Sequence, residues 1–165
     1  YTSNVGEAEL KGIEWSIDFA ATDSLTLNFS GDVLDTEITK IRGVSSGGVV
    51  PQEVGDPISF APDYSLVLGL TYESQFRSAP SYFRINYNEQ GESTLTDRSV
   101  QPYPQHTAPV VRFLSSSIGF EIDDWDLSVF GKNLLNEAEP IRPSFAGFTP
   151  QARPRTFGVT IAKQF

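Results

Sequence analysis

The feature of this sequence that most constrains its fold is an alternation of apolar and polar residues. It is clearest where Ile13, Trp15, Ile17 and Phe19 occupy every second position and polar residues lie between them. Because successive side chains of a β-strand point to opposite faces, a period of two predicts strands and not helices. The pattern resumes at later points that begin at Leu25, Leu66, Phe83, Leu114, Trp125 and Phe157. We therefore predict about seven strands, mostly roughly 9–12 residues long, the length that a tilted strand needs to cross a bilayer.

Composition excludes several classes of function. The chain has 165 residues, no cysteine, a single histidine (His106) and a formal charge of −9. Without cysteine there is no disulfide framework or thiolate site, and an acidic chain lacks the basic stripe that nucleic acids require. One histidine in a proline-flanked loop does not supply a hydrolase triad. We therefore expect no enzyme activity, metal, cofactor or nucleic-acid partner. The chain opens at Tyr1 without a methionine, so we expect a piece of a longer protein.

The connections between the predicted strands alternate between short and long. The first two strands are joined by about five residues, the third and fourth by a modest segment around residues 75–80, and the fifth and sixth by Asp123 and Asp124. The other connections are long and cover residues 39–63, 90–109 and 136–153. Soluble domains rarely carry three such loops without secondary structure of their own. Outer-membrane barrels combine short turns on one side with long loops on the other.

Aromatic residues gather at one end of the apolar face. The apolar-face residues nearest the short turns are Phe19, Tyr72, Phe83, Phe120, Trp125 and Phe165, and Leu25 is the exception. Aromatic belts of this kind mark the membrane interface of outer-membrane barrels. A soluble β-sandwich has no reason to sort its aromatics in this way. We predict that these six residues form a membrane-interface girdle.

Several short motifs resemble the late barrel strands of TonB-dependent outer-membrane receptors. Residues 12–15 followed by 22–27 resemble a pair of strands late in that barrel, and residues 124–134 resemble its penultimate strand. Residues 154–161, with the chain ending at Phe165, resemble its closing strand. The likeness covers essentially the whole chain, and the motifs occur in the family's order. Lys163, which stands where the closing strand usually has an aromatic residue, departs from the family pattern.

This resemblance implies an all-β fold, an antiparallel transmembrane β-barrel segment of about seven meandering strands. The complete barrel would have about 22 strands around a plug, in the outer membrane of a Gram-negative bacterium. Residues 1–165 would be the C-terminal portion of that barrel, without the plug. Since seven is fewer than the roughly eight strands of the smallest barrels, we expect a curved open sheet with two unpaired edges.

The resemblance also implies partners. They are outer-membrane lipid, a TonB complex that acts through the missing N-terminal part, the outer-membrane assembly machinery and a scarce nutrient. The terminal aromatic residue, Phe165, is similar to the signal by which outer-membrane proteins are recognised for assembly.

The best candidate for ligand binding is the loop of residues 140–148 and the residue Arg153 that follows it. Arg142, Phe145, Phe148 and Arg153 combine cations with aromatic rings, which suits a planar anionic ligand such as a ferric chelate. The alternative is a packed loop whose aromatics fold over the rim. A ferric siderophore is the favoured nutrient, and cobalamin, haem and oligosaccharide stay open. A passive porin-type barrel and a soluble β-sandwich that binds carbohydrate are the alternative functions.

Overall fold

A computed structural model describes residues 6–41, 52–96, 105–144 and 147–163. Nine strands form in this part of the chain, and they are β1 (Gly6–Thr22), β2 (Leu25–Ile41), β3 (Tyr64–Phe76), β4 (Ala79–Gln90), β5 (Ser93–Thr96), β6 (Gln105–Ala108), β7 (Val111–Ile122), β8 (Trp125–Lys132) and β9 (Thr156–Lys163). No helix in the described residues is long and apolar enough to span a membrane.

Seven of the strands form one antiparallel sheet in the order β1-β2-β3-β4-β7-β8-β9. Every strand lies beside its neighbour in this chain order, so the sheet is a meander. In the described part of the chain the sheet is open, with β1 and β9 at its edges. The predicted all-β fold, the seven main strands and the open sheet are confirmed.

The register gives the sheet one apolar and one polar face. Residues directly opposite each other in an antiparallel ladder share a face, and the row through Ile17, Phe29, Leu68, Tyr87 and Leu114 is apolar on five adjacent strands. We call this side the apolar face and the opposite side the polar face.

The apolar face is not covered by a second layer of the described residues. Leu68 in the middle of the sheet is 39% exposed, and Val159 near the edge is 67% exposed. A β-sandwich would bury both residues between two packed sheets. No second sheet of the described residues packs on the main sheet, so the structure does not support the soluble sandwich alternative.

The first two strands are longer than predicted. β1 and β2 have 17 residues each, and they stay paired from the short turn as far as Gly6 and Ile41. Alongside β2, the connection of residues 52–63 continues the sheet, because the N–H of Leu34 donates to the carbonyl of Asp63 at 2.8 Å. The sheet thus extends beyond the residues in which the alternation is clear.

The connection between β4 and β7 contains a hairpin that the sequence did not reveal. β5 and β6 pair over four residues each, and His106 lies in β6 opposite Leu95 and not in an irregular loop. The hairpin joins the main sheet through residues 52–63, because the N–H of Phe60 donates to the carbonyl of Thr94 at 3.0 Å. The expectation that this connection lacks secondary structure is wrong.

The most buried side chains of the described residues lie toward the end of the sheet that carries the long connections. They come from β5, β6, the start of β7 and the β8–β9 connection, and they are Ser93, Leu95, Ala108, Val111 and Pro143. Val111 is the first residue of β7, at the end of that strand away from the short β7–β8 turn.

The three short connections are tight two-residue turns. They join β1 to β2, β3 to β4, and β7 to β8, and the segment expected around residues 75–80 is reduced to Arg77 and Ser78. Both residues have positive φ, 51° and 70°. This is the geometry of a type I′ turn, whose twist matches that of the flanking strands.

Candidate ligand-binding loop and the outer end of the sheet

The β8–β9 connection, which holds the predicted ligand residues, folds back on itself as a hairpin. Pro140 and Gln151 form an antiparallel bridge at its base, and the N–H of Ile141 donates to the carbonyl of Pro150 at 3.0 Å. Nearer the tip, the hydroxyls of Ser144 and Thr149 lie 2.7 Å apart. We call residues 140–151 the ligand hairpin.

The structure places the predicted ligand residues in two parts of this connection, the ligand hairpin and its base. Arg142 is exposed and Phe148 is 78% exposed, both on the ligand hairpin. Arg153 lies at the base, where its carbonyl accepts a hydrogen bond from Asn133. Phe145 lies outside the described residues. An exposed guanidinium and an exposed ring on one hairpin are able to contact a planar anion.

The two ends of the connection are joined by Asn133. This residue is 6% exposed and has a φ of 51°, a conformation that asparagine adopts more readily than most residues. Its side-chain N–H groups donate to the carbonyls of Glu137 at 2.9 Å and Arg153 at 2.8 Å. Its side-chain oxygen accepts from the N–H of Glu137 at 2.8 Å.

The Glu137 carboxylate holds the same base to the sheet. It accepts from the backbone N–H groups of Ala138 at 2.9 Å, Glu139 at 3.1 Å and Arg112, the second residue of β7, at 3.0 Å. The bond from the Glu139 N–H contributes most to lowering the pKa of Glu137 below its ordinary 4.5, while partial burial acts in the opposite direction. The clamp, by which we mean Asn133 and Glu137, therefore links β7, the end of β8 and residue 153.

A polar cluster interrupts the apolar face at the end opposite the short turns. The Glu89 carboxylate accepts from the hydroxyls of Tyr64, at 2.6 Å, and of Tyr87, and from Nε of Arg112 at 3.0 Å. Its side chain is 16% exposed. Register pairs Glu89 with Arg112 and with Leu66 of the apolar rows. Three donors satisfy the charge, which permits a carboxylate to lie at the border of an apolar surface.

Five of the six predicted girdle residues are on the apolar face near the short turns. Phe19, Tyr72, Phe83 and Trp125 are exposed there, Phe120 is half-buried, and Phe165 lies outside the described residues. The structure adds Phe76, whose ring packs edge-on against Phe120 at 5.8 Å. The ammonium of Lys163 lies 5.3 Å from the Trp125 ring centre, so the residue that departs from the family pattern contacts this aromatic group.

Two cations on the polar face lie over aromatic rings. The Arg84 guanidinium is 4.3 Å from the Tyr82 ring centre, and the Lys132 ammonium is 5.3 Å from that of Phe130. Beside Arg84 is an open groove of about 420 Å³ whose carboxylates are Glu73, Glu121 and Asp126. Within the described ranges, no group of three or more His, Cys, Asp or Glu side chains has the arrangement to hold a metal ion.

Sequence reasoning missed the residues that hold the outer end together. Alternation places Glu89 and Arg112 on the apolar face, where charged residues are unexpected. Two opposite charges at such positions were a sequence signal for the polar cluster. Asn133 and Glu137 gave a weaker signal, because their partners are backbone groups up to 25 residues away.

The open antiparallel meander has the form of a segment of a β-barrel wall. Residues 1–134 match the family described as "TonB dependent receptor-like, beta-barrel". The chain therefore belongs to the TonB-dependent receptor β-barrel family, and the resemblance seen in the sequence is confirmed. The family consists of receptors and transporters and is not a class of enzymes, and it implies the outer membrane of a Gram-negative bacterium. Membership favours a receptor over a passive porin.

A solved structure supports the same fold. The chain is similar to the ferric yersiniabactin uptake receptor FyuA from Yersinia pestis, with a TM-score of 0.73 and 19% sequence identity. The match covers 94% of this chain and 23% of that receptor, so the chain spans about a quarter of its length. No curated protein matches the sequence.

Proposed function

We propose that this chain is part of an outer-membrane receptor that imports a ferric siderophore by active, TonB-driven transport. Residues 1–165 form the C-terminal portion of its barrel, and the plug and the contact with TonB belong to the part outside this chain. Family membership supports receptor function. The similar FyuA, a ferric yersiniabactin uptake receptor, makes a ferric chelate the first ligand to test.

In this proposal the apolar face contacts lipid hydrocarbon and the polar face lines a watery interior. Exposed apolar side chains on every strand of the main sheet support the assignment, because a bilayer is the solvent that makes such a surface favourable. The short turns lie on the periplasmic side, with the aromatic girdle at that interface. The ligand hairpin and the β5–β6 hairpin then face the cell exterior.

The observation that carries the ligand proposal is the ligand hairpin on its fixed base, with Arg142 and Phe148 exposed. A ferric siderophore offers anionic oxygens to a guanidinium and a flat surface to a ring. Phe145 and Arg153 complete the proposed site. Outside it, the closing strand β9 and Phe165 contact the assembly machinery, and no nucleic acid is involved.

The test uses the full receptor that contains this chain, expressed in a Gram-negative host without siderophore receptors of its own. Uptake of radioactive iron is measured with ferric yersiniabactin, a ferric tris-catecholate and a ferric hydroxamate, in the presence and absence of TonB. We expect one ferric chelate to be taken up only when TonB is present. Arg142→Gln and Phe148→Ala should each weaken binding of that chelate about tenfold, the cost of one charged or aromatic contact. Arg155→Gln, an exposed arginine on the same connection, is the matched control.

Uptake that continues unchanged without TonB would support a passive porin. TonB-dependent import of cobalamin, haem or an oligosaccharide, with no ferric chelate transported, would keep the receptor and overturn the siderophore.

A further inference from the structure

The base of the ligand hairpin contains more hydrogen bonds than are needed to end β8. To end β8, one turn is sufficient, and the N–H of Asn136 already closes it by donating to the carbonyl of Asn133 at 2.9 Å. The side chain of Asn133 nevertheless reaches across the connection to the carbonyl of Arg153, three residues before β9. This contact fixes the distance between the two ends of the connection.

The second member of the clamp ties this base to a neighbouring strand. Glu137 accepts the N–H of Arg112, whose own side chain is bonded to Glu89 of β4. Through these bonds, the base of the hairpin is held against the outer ends of β4 and β7. The carboxylate is half-buried, and a charged acceptor makes stronger bonds to backbone N–H groups than a neutral acceptor does.

The ligand hairpin itself has few means of holding its own direction. Its described bonds run mainly between its two arms, and Pro143 is its one fully buried side chain in the described residues. Among the described residues, the hydrogen bonds that join the hairpin to the barrel wall lie at its base, and the burial of Pro143 is a second point of attachment. A binding loop that is already held in its bound position loses less conformational entropy when the ligand arrives.

We propose that Asn133 and Glu137 are positioning residues for ligand binding: the clamp holds the ligand hairpin so that Arg142 and Phe148 face the ligand before it binds. This inference rests on the proposed function, because the ligand hairpin is the proposed binding site. Neither clamp side chain contacts the ligand. Their effect is on affinity, since the hydrogen bonds of the clamp hold the hairpin that carries the contacts.

The experiment compares Asn133→Gly and Glu137→Gln in the full receptor. Glycine tolerates the positive φ of position 133 and removes only the side-chain bonds, so backbone strain does not confuse the result. Glu139→Gln is the matched control, because Glu139 is exposed and contributes only its backbone N–H to the clamp. Two quantities are measured, namely hydrogen exchange of residues 133–153 without ligand and the uptake kinetics of the ferric chelate that wild type transports.

We expect both clamp variants to speed exchange in residues 133–144 and 147–153 while β3, β4 and β7 stay protected. The concentration for half-maximal uptake should rise about tenfold, with the maximal rate unchanged, and Glu139→Gln should behave as wild type. A variant with wild-type exchange and wild-type half-saturation would overturn the inference. So would faster exchange spread equally over the strands, since the residues would then support general stability.

Failure of the proposed function would give a different set of results from failure of the positioning role. If wild type transports no ferric chelate, the siderophore assignment fails, and the ligand-free exchange measurement still decides whether the clamp positions the hairpin. If Arg142→Gln and Phe148→Ala weaken binding but the clamp variants do not, the positioning role alone is wrong.

Discussion

At the scale of single residues, close packing across the ladder makes one glycine of β2 hard to replace. Gly31 lies directly opposite Trp15, and a Cβ placed there would lie 2.4 Å from the backbone carbonyl oxygen of Ser65 and 2.7 Å from the Trp15 ring. Since neither the backbone nor the ring can give way without moving its neighbours, Gly31→Ala should destabilise the folded barrel by about 1–3 kcal/mol.

The measurement is the free energy of unfolding of the full receptor in guanidinium, followed by tryptophan fluorescence. Gly69→Ala is the control, because a Cβ there meets only the Asn28 side chain, at 3.0 Å or more. Equal stability losses for the two substitutions would show that the close approach at Gly31 carries no special cost.

Also at the residue scale, the clamp makes stability depend on pH through Glu137. Its pKa in the folded protein lies below the ordinary 4.5, chiefly because the N–H of Glu139 donates to the carboxylate. A lowered pKa contributes stability that is present above the unfolded value and is lost as pH falls through the folded value. We therefore expect the stability difference between wild type and Glu137→Gln to be constant from about pH 8 to pH 5 and to shrink below about pH 4. Urea unfolding of both proteins over this range measures it, and a difference that grows on acidification contradicts the assignment.

At the scale of elements, the alternation predicted a strand wherever one face is apolar and the other polar. It predicted the seven strands of the main sheet for this reason. It missed the outer parts of β1 and β2, where Glu9 and Lys11 face outward opposite Glu37 and Asp35. Because charged side chains take the apolar-face positions in that extension, the alternation does not continue there. The β5–β6 hairpin was missed because four-residue strands are too short to show a period.

Part of the ligand site was also predicted from the sequence. Arginines and aromatics close together in one loop are visible in sequence, and Arg142 and Phe148 are exposed as a binding role requires. The clamp was not predicted, because side-chain bonds to backbone groups depend on how the chain returns in three dimensions.

The short turns offer a test at the same scale. Ser78 has a φ of 70°, which costs a non-glycine residue conformational energy, so Ser78→Gly should stabilise the receptor by about 0.5–1 kcal/mol. Ser24 occupies the second position of the β1–β2 turn without a positive φ, so Ser24→Gly should instead destabilise by about 0.5–1 kcal/mol. The free energies of unfolding of the two variants should therefore change with opposite signs. Changes of the same sign would mean that backbone conformation does not govern these turns.

At the scale of the whole molecule, the central question is what covers the apolar face. Val159 and Thr160 are neighbours on β9, both exposed, and they point to opposite faces of the sheet. If the apolar face meets hydrocarbon, Val159→Arg places a charge in the bilayer and should cost about 2–4 kcal/mol. Thr160→Arg, with its side chain in a watery interior, should cost less than about 1 kcal/mol. Folding of the full receptor into phosphatidylcholine vesicles measures both values, and the heat-modifiable band on gels reports the folded fraction in cells. Equal folding of the two variants would mean that lipid does not cover this face, and the transporter proposal would lose its physical basis.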